Sequence, residues 1–146
     1  AHKKIMVAIA AMWKQVLGVE TELVNQEWKV MLSNFTQGNM QAYRYGWIAD
    51  YNDPYTFLET FKKGSAMNYS AFSNDAYDAK LKEAENTTDL AARAKLLQAA
   101  EKTVIDDYAV APLYHYVTVR LLKPQFKGYA GNALGIVRTQ DLHIEP

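Results

Sequence analysis

Cysteine is missing from this 146-residue sequence, which removes a disulfide framework and every thiolate metal site while fitting a reducing or an oxidising compartment equally. Net charge is missing as well. Lysine plus arginine and aspartate plus glutamate stand at 16 each, so no overall field draws the chain to nucleic acid, an anionic membrane or an acidic polymer, and no nucleic-acid partner is expected. Histidine is scarce: His2, His115 and His143 lie far apart and form no paired-ligand motif, so neither a metal nor another cofactor is expected. No apolar run approaches the roughly 20 residues that span a bilayer. His2, Lys3 and Lys4 lead directly into an amphipathic pattern, without a signal peptide. The phosphate-cradling and nucleophile-elbow glycine motifs are absent, and no catalytic apparatus is visible. The opening at Ala1, already inside a helical pattern, reads as a piece of a longer chain.

What is present is a 49% hydrophobic composition, enough for a core, arranged in alternating periodicities. Ile5, Ile9, Met12, Trp13, Val16 and Leu17 recur at helical spacing, with Gly18 placed for a left-handed cap. Residues 19–24 alternate like a half-buried strand, residues 27–35 return to helical spacing, and 40–48 read as a second strand. Pro54 fits the first turn of a short helix running to Phe61, and 62–70 read as a loop. Ser73 or Asn74 caps a helix carrying Tyr77, Leu81 and Ala84, and Thr88 caps a longer one through Tyr108. Alternation over 110–122 gives the longest strand candidate, and 141–144 a short closing strand. The pattern is α/β, a mixed sheet covered by helices, with a final stretch that loses apolar periodicity after Pro124.

The stretch richest in chemistry is 43–54, YRYGWIADYNDP, a strand-like half followed by a turn into a helix. Ligands in α/β folds bind just beyond strand ends, so the layout points to a pocket. Asp50, between Trp47 and Tyr51, has two readings: a carboxylate that holds an ammonium group, or a turn former bonding its own backbone. Asp50 and Asp53 as an acid and base pair is a third, weaker arrangement, since both suit a turn. Arg44, the single charge in 40–48, is either a ligand group or half of a structural pair. Trp13, Trp28 and Trp47 read locally as core residues.

Taken together, NQEW at 25–28, GWIADYNDP at 46–54, APLYHYV at 111–117 and RLLKP at 120–124 resemble the oligopeptide-binding proteins of bacterial peptide importers. The resemblance covers essentially the whole chain, against the last part of a much longer family member. It implies a two-lobed periplasmic-binding-protein fold closing on a short peptide held extended, with peptide side chains in hydrated pockets. Residues 1–117 would be part of the second ligand-binding lobe, and 118–146 a hinge-crossing strand and C-terminal segment returning to the first. Carried over residue by residue, Asp50 matches the group that binds the peptide α-ammonium. Arg44 and His2 match groups that meet the C-terminal carboxylate, and Trp28, Trp47 and Tyr116 match residues around the peptide. Ile48, with its neighbour Ala49, matches main chain that pairs with the peptide. The implied partners are short peptides, the N-terminal lobe of the same protein and the permease subunits of an ABC transporter. The implied location is the periplasm, or the cell surface for a Gram-positive lipoprotein. Receptors for dipeptides, murein peptides or a nickel complex share the fold and stand as alternatives, as does a hydrolase domain from another class. Phe35 and Thr36 depart from the pattern, replacing an arginine and a histidine and removing cationic character from that side.

Overall fold

The computed structural model describes residues 2–132 and 134–145, and the chain divides into two compact units, Ala1–Gly46 and Trp47–Pro146. The first unit holds α1 (His2–Leu17) and α2 (Trp28–Gln37). Helix α1 ends as its sequence requires: Gly18 adopts φ +69, its N–H donates to the Lys14 carbonyl, and the Val19 N–H reaches back to Trp13 at 3.3 Å. Helix α2 is capped by Glu27, whose carboxylate accepts the Lys29 N–H at 2.8 Å, and closes on a left-handed Gly38. Its buried anchor is Phe35, whose ring lies 4.4 Å from that of Tyr43 and 6.1 Å from that of Tyr45. No residue of α1 is buried, and Trp13, expected in a core, is 37% exposed. The apolar stripe of α1 is there, but among the described residues the buried hydrophobic cluster is built from Tyr55 to Val104, outside its unit.

The second unit carries the core. After Pro54, α3 (Tyr55–Leu58) tightens into a 3-10 turn over Glu59–Phe61. Asn74 accepts the Tyr77 N–H at 3.0 Å and starts α4 (Asp75–Glu85). Asp89 accepts the Ala92 N–H at 2.7 Å and starts α5 (Leu90–Asp106). The expected cap at Thr88 is therefore corrected by one residue: a carboxylate one position later also complements the helix dipole. Tyr77, Leu81 and Ala84 of α4 interleave with Leu97, Ala100 and Val104 of α5 over Tyr55, Leu58 and Phe72. Complete burial of a side chain such as Leu81 contributes about 1.5–3 kcal/mol. Between the helices, the Asn68 side-chain amide donates to the carbonyls of Phe61, Lys62 and Phe72, which shapes the expected loop.

The sheet seen among the described residues is an antiparallel ribbon of β1 (Phe126–Lys127) and β2 (His143–Ile144), with Phe126 opposite Ile144. The closing strand falls at the expected place. The stretches 19–24, 40–48 and 110–122, read as strands, carry no strand pairing among the described residues. Alternation records which face a strand buries, but a strand forms only where a second strand runs alongside in register, which alternation does not specify. The exposed side chains agree: Val117 is 81% and Leu121 97% accessible.

Candidate functional site

The turn at 50–56 is fastened at both ends. The Asp50 N–H donates to Thr56 Oγ1 at 3.2 Å, and Thr56 is fully buried. Three residues on, Asp53 Oδ1 accepts the Tyr55 N–H at 2.8 Å and thereby starts α3. The same carboxylate meets the Arg93 guanidinium as a fork, Nη1 to Oδ2 at 2.6 Å and Nη2 to Oδ1 at 3.0 Å. Those two arginine bonds, helped by the Tyr55 N–H and opposed by partial burial, hold the Asp53 carboxyl below the usual carboxylate range. The turn-forming role thus belongs to Asp53. Asp50 is exposed, and among the described residues its carboxylate takes no hydrogen bond or ion pair, so the reading in which Asp50 bonds its own turn finds no such contact.

Around the turn, the Tyr51 hydroxyl donates to Glu59 Oε1 at 2.7 Å, and partial burial together with that carboxylate pushes the phenol pKa up. The Tyr55 hydroxyl donates to Glu85, which Lys62 also meets at 3.3 Å. The neighbouring predicted residues differ in exposure: Trp47 and Ala49 are half-buried, while Ile48 is 74% exposed, leaving its main chain approachable. Tyr116 is 53% exposed, its ring 5.3 Å from Tyr114. In the first unit, His2 opens α1 and is exposed, Trp28 opens α2 and is 58% exposed, and Arg44 is half-buried. The predicted set is thereby divided, His2, Trp28 and Arg44 in one compact unit and Trp47, Ile48, Ala49, Asp50 and Tyr116 in the other. An open hollow of about 430 Å³ is lined by Asn52 of the turn together with Asn132, Leu134, Ile136 and Arg138. Among the described residues no group of three or more His, Asp or Glu side chains is placed to hold a metal ion.

Two residues of this arrangement were not anticipated, Thr56 and Arg93. The signal for Arg93 is its position, since 93, 97, 100 and 104 form one helical stripe whose other members are buried. A charge on such a stripe needs a fixed partner.

The model of bacterial extracellular solute-binding proteins, family 5 (middle), matches residues 1–69. The chain is 40% identical over 144 residues to the periplasmic oligopeptide-binding protein OppA of Escherichia coli, covering 98% of the chain and 26% of the relative. It is 42% identical over 131 residues to the periplasmic murein peptide-binding protein MppA of the same organism, covering 90% of the chain and 24% of the relative. Among solved structures, Haemophilus influenzae OppA in complex with RPPGFSPFR superposes with a TM-score of 0.86 at 36% identity, over 98% of this chain and 28% of the other. The chain spans about a quarter of the length of these curated relatives. Residues 1–69 thus carry the match to the family 5 extracellular solute-binding proteins of bacteria, and nearly the whole chain is similar to about one quarter of the longer binding proteins named above.

Proposed function

We propose that this chain is part of the solute-binding component of an oligopeptide ABC importer, acting outside the cytoplasmic membrane and gripping short peptides in extended form between two lobes. The observation that carries the reading is the contrast within one turn: Asp53 is fully engaged, and Asp50 is exposed with its carboxylate uncommitted among the described residues. An anchored carboxylate of this kind fits a peptide α-ammonium, which brings three donors and one positive charge. Exposed main chain at Ile48 suits strand-like pairing with the peptide backbone. Trp28, Trp47, Ala49 and Tyr116 would surround the peptide, and Arg44 or His2 would meet its C-terminal carboxylate. The relatives' names, oligopeptide-binding and murein peptide-binding, and the peptide in the solved H. influenzae complex support the ligand class.

In this proposal residues 1–117 contribute to the second lobe and 118–146 cross back to the first, and the permease subunits of the transporter are the macromolecular partners. No described helix is long and apolar enough to cross a membrane. A periplasmic or cell-surface location follows from the proposal. The hydrolase reading would need Asp50 and Asp53 to act as an acid and base pair, whereas the Asp53 carboxylate is engaged by the Arg93 fork and the Tyr55 N–H. The test is mass spectrometry of material released from the purified full-length protein that carries this chain. Co-purifying short peptides of mixed sequence are expected, whereas a single non-peptide ligand or turnover of added peptide overturns the proposal.

A further inference from the structure

We propose that Arg93 is a positioning residue for peptide recognition: by occupying both oxygens of Asp53 it leaves Asp50 as the one uncommitted carboxylate of the turn, and it locks that turn to the helical core. The inference rests on the peptide reading above and deepens it.

The problem Arg93 solves is one of ambiguity. Residues 50–56 carry two carboxylates three positions apart, and an ammonium is a compact charge whose three donors rotate freely, so its own chemistry gives no preference between them. A planar guanidinium does discriminate, because it requires two acceptor oxygens presented side by side. Asp53 presents them at 2.6 and 3.0 Å. With the Tyr55 N–H also on Oδ1, the Asp53 pair is neutral as a unit and most of its acceptor capacity is filled.

Arg93 also has a third attachment. Its Nε donates to the Ala84 carbonyl at 3.2 Å, in the last turn of α4, which also accepts the Thr87 N–H. One side chain thus joins the recognition turn, the end of α4 and the body of α5. Its own position is fixed by the stripe it shares with Leu97, Ala100 and Val104. At the other end of the turn, the Asp50 N–H is held by the buried Thr56 hydroxyl. Asp50 therefore projects from a segment pinned three residues downstream by Arg93 and six residues downstream by Thr56, as preorganised recognition requires.

The experiment uses the full-length protein that carries this chain, with trialanine and N-acetyl-trialanine as calorimetric probes and thermal melts to confirm folding. Arg93→Gln is expected to reduce the preference for trialanine over its acetylated form by about tenfold. Adding Asp53→Asn, which deletes the competing carboxylate and lets two amides pair, is expected to bring that preference back to within about threefold of the unmutated protein. Where Arg93→Gln does not fold, Arg93→Lys, which keeps the charge and loses the fork, is expected to give an intermediate loss. An arginine that only stabilises the fold would lower both affinities together or neither, and that result overturns the proposal. Asp50→Asn is measured in parallel. If Asp50→Asn leaves the preference untouched, the reading of Asp50 fails and the inference falls with it; if Asp50→Asn abolishes the preference while the Arg93 variants keep it, Arg93 alone is refuted.

Discussion

The buried Tyr77 hydroxyl donates a 2.6 Å hydrogen bond to the Leu58 carbonyl, so a side chain of α4 satisfies the last residue of α3 from within the core. Burial pushes the Tyr77 phenol pKa up, which keeps it a neutral donor across the working pH range. Tyr77→Phe preserves the ring and its edge-on contact with Phe72 but removes a buried hydrogen bond to the Leu58 carbonyl. A loss of about 0.5–1.5 kcal/mol is expected, read as a lower urea midpoint with an unchanged slope. A midpoint equal to that of the unmutated protein would assign the stabilisation to the ring alone.

Asp53 has its folded pKa depressed by Arg93 and the Tyr55 N–H. An ordinary unfolded aspartate titrates near 3.9, so the pair contributes in full above about pH 5 and is lost as pH falls through the folded value. At pH 7 Asp53→Asn is expected to cost about 1–2 kcal/mol, discounted for the partial exposure of both side chains. The gap between variant and unmutated protein should narrow steadily below pH 4. A gap that stays constant down to pH 2 would show that the charge on Asp53 contributes nothing.

For Asp50 the expectation is a coupling. In the full-length protein, Asp50→Asn should weaken free-amine peptides by roughly 2–5 kcal/mol, since it leaves a desolvated cation unpaired. N-acetylated peptides bring no cation and should lose far less. Two peptides against two proteins make a double-mutant cycle, and a coupling below about 0.5 kcal/mol would remove Asp50 from the amino-terminal site.

The 146-residue chain by itself should bind peptide more weakly than micromolar, because its length is about a quarter of the relatives' and the proposed grip needs two lobes. An affinity at or beyond about −8 kcal/mol by calorimetry would mean that these residues hold a complete site.

Gly128, at φ +78, lies where an added Cβ would overlap the Asp141 backbone oxygen. Gly128→Ala should therefore open the β1–β2 ribbon, with faster amide exchange at Phe126 and Ile144 and little change around Tyr77. Slow exchange retained across the ribbon would show that the backbone there can yield.

Helices were legible because capping and apolar spacing are local: Gly18, Gly38, Pro54 and Asn74 each stand where the sequence places a helix end. The strand stretches were legible as alternation only, since pairing depends on what lies alongside, and nothing in residues 110–122 specifies that neighbour. The turn at 50–54 could be located from its residues, yet its division of labour could not. Asp50 and Asp53 look equivalent in sequence, and the residue that distinguishes them lies 40 positions beyond Asp53 on another helix. Phe35 makes the converse point. Read as the loss of a cationic group, it proves to be the aromatic anchor that seats α2 against Tyr43 and Tyr45.

The exposed apolar side chains of 110–122 bear on how the separate chain behaves in solution. A segment that leaves Leu113, Val117, Val119 and Leu121 exposed together offers apolar surface to like segments. Self-association through it rises with concentration and removes free chain from any equilibrium being measured. The useful concentration window for this chain is therefore set at its upper end by 110–122, and light scattering across a dilution series defines that ceiling before any peptide is added.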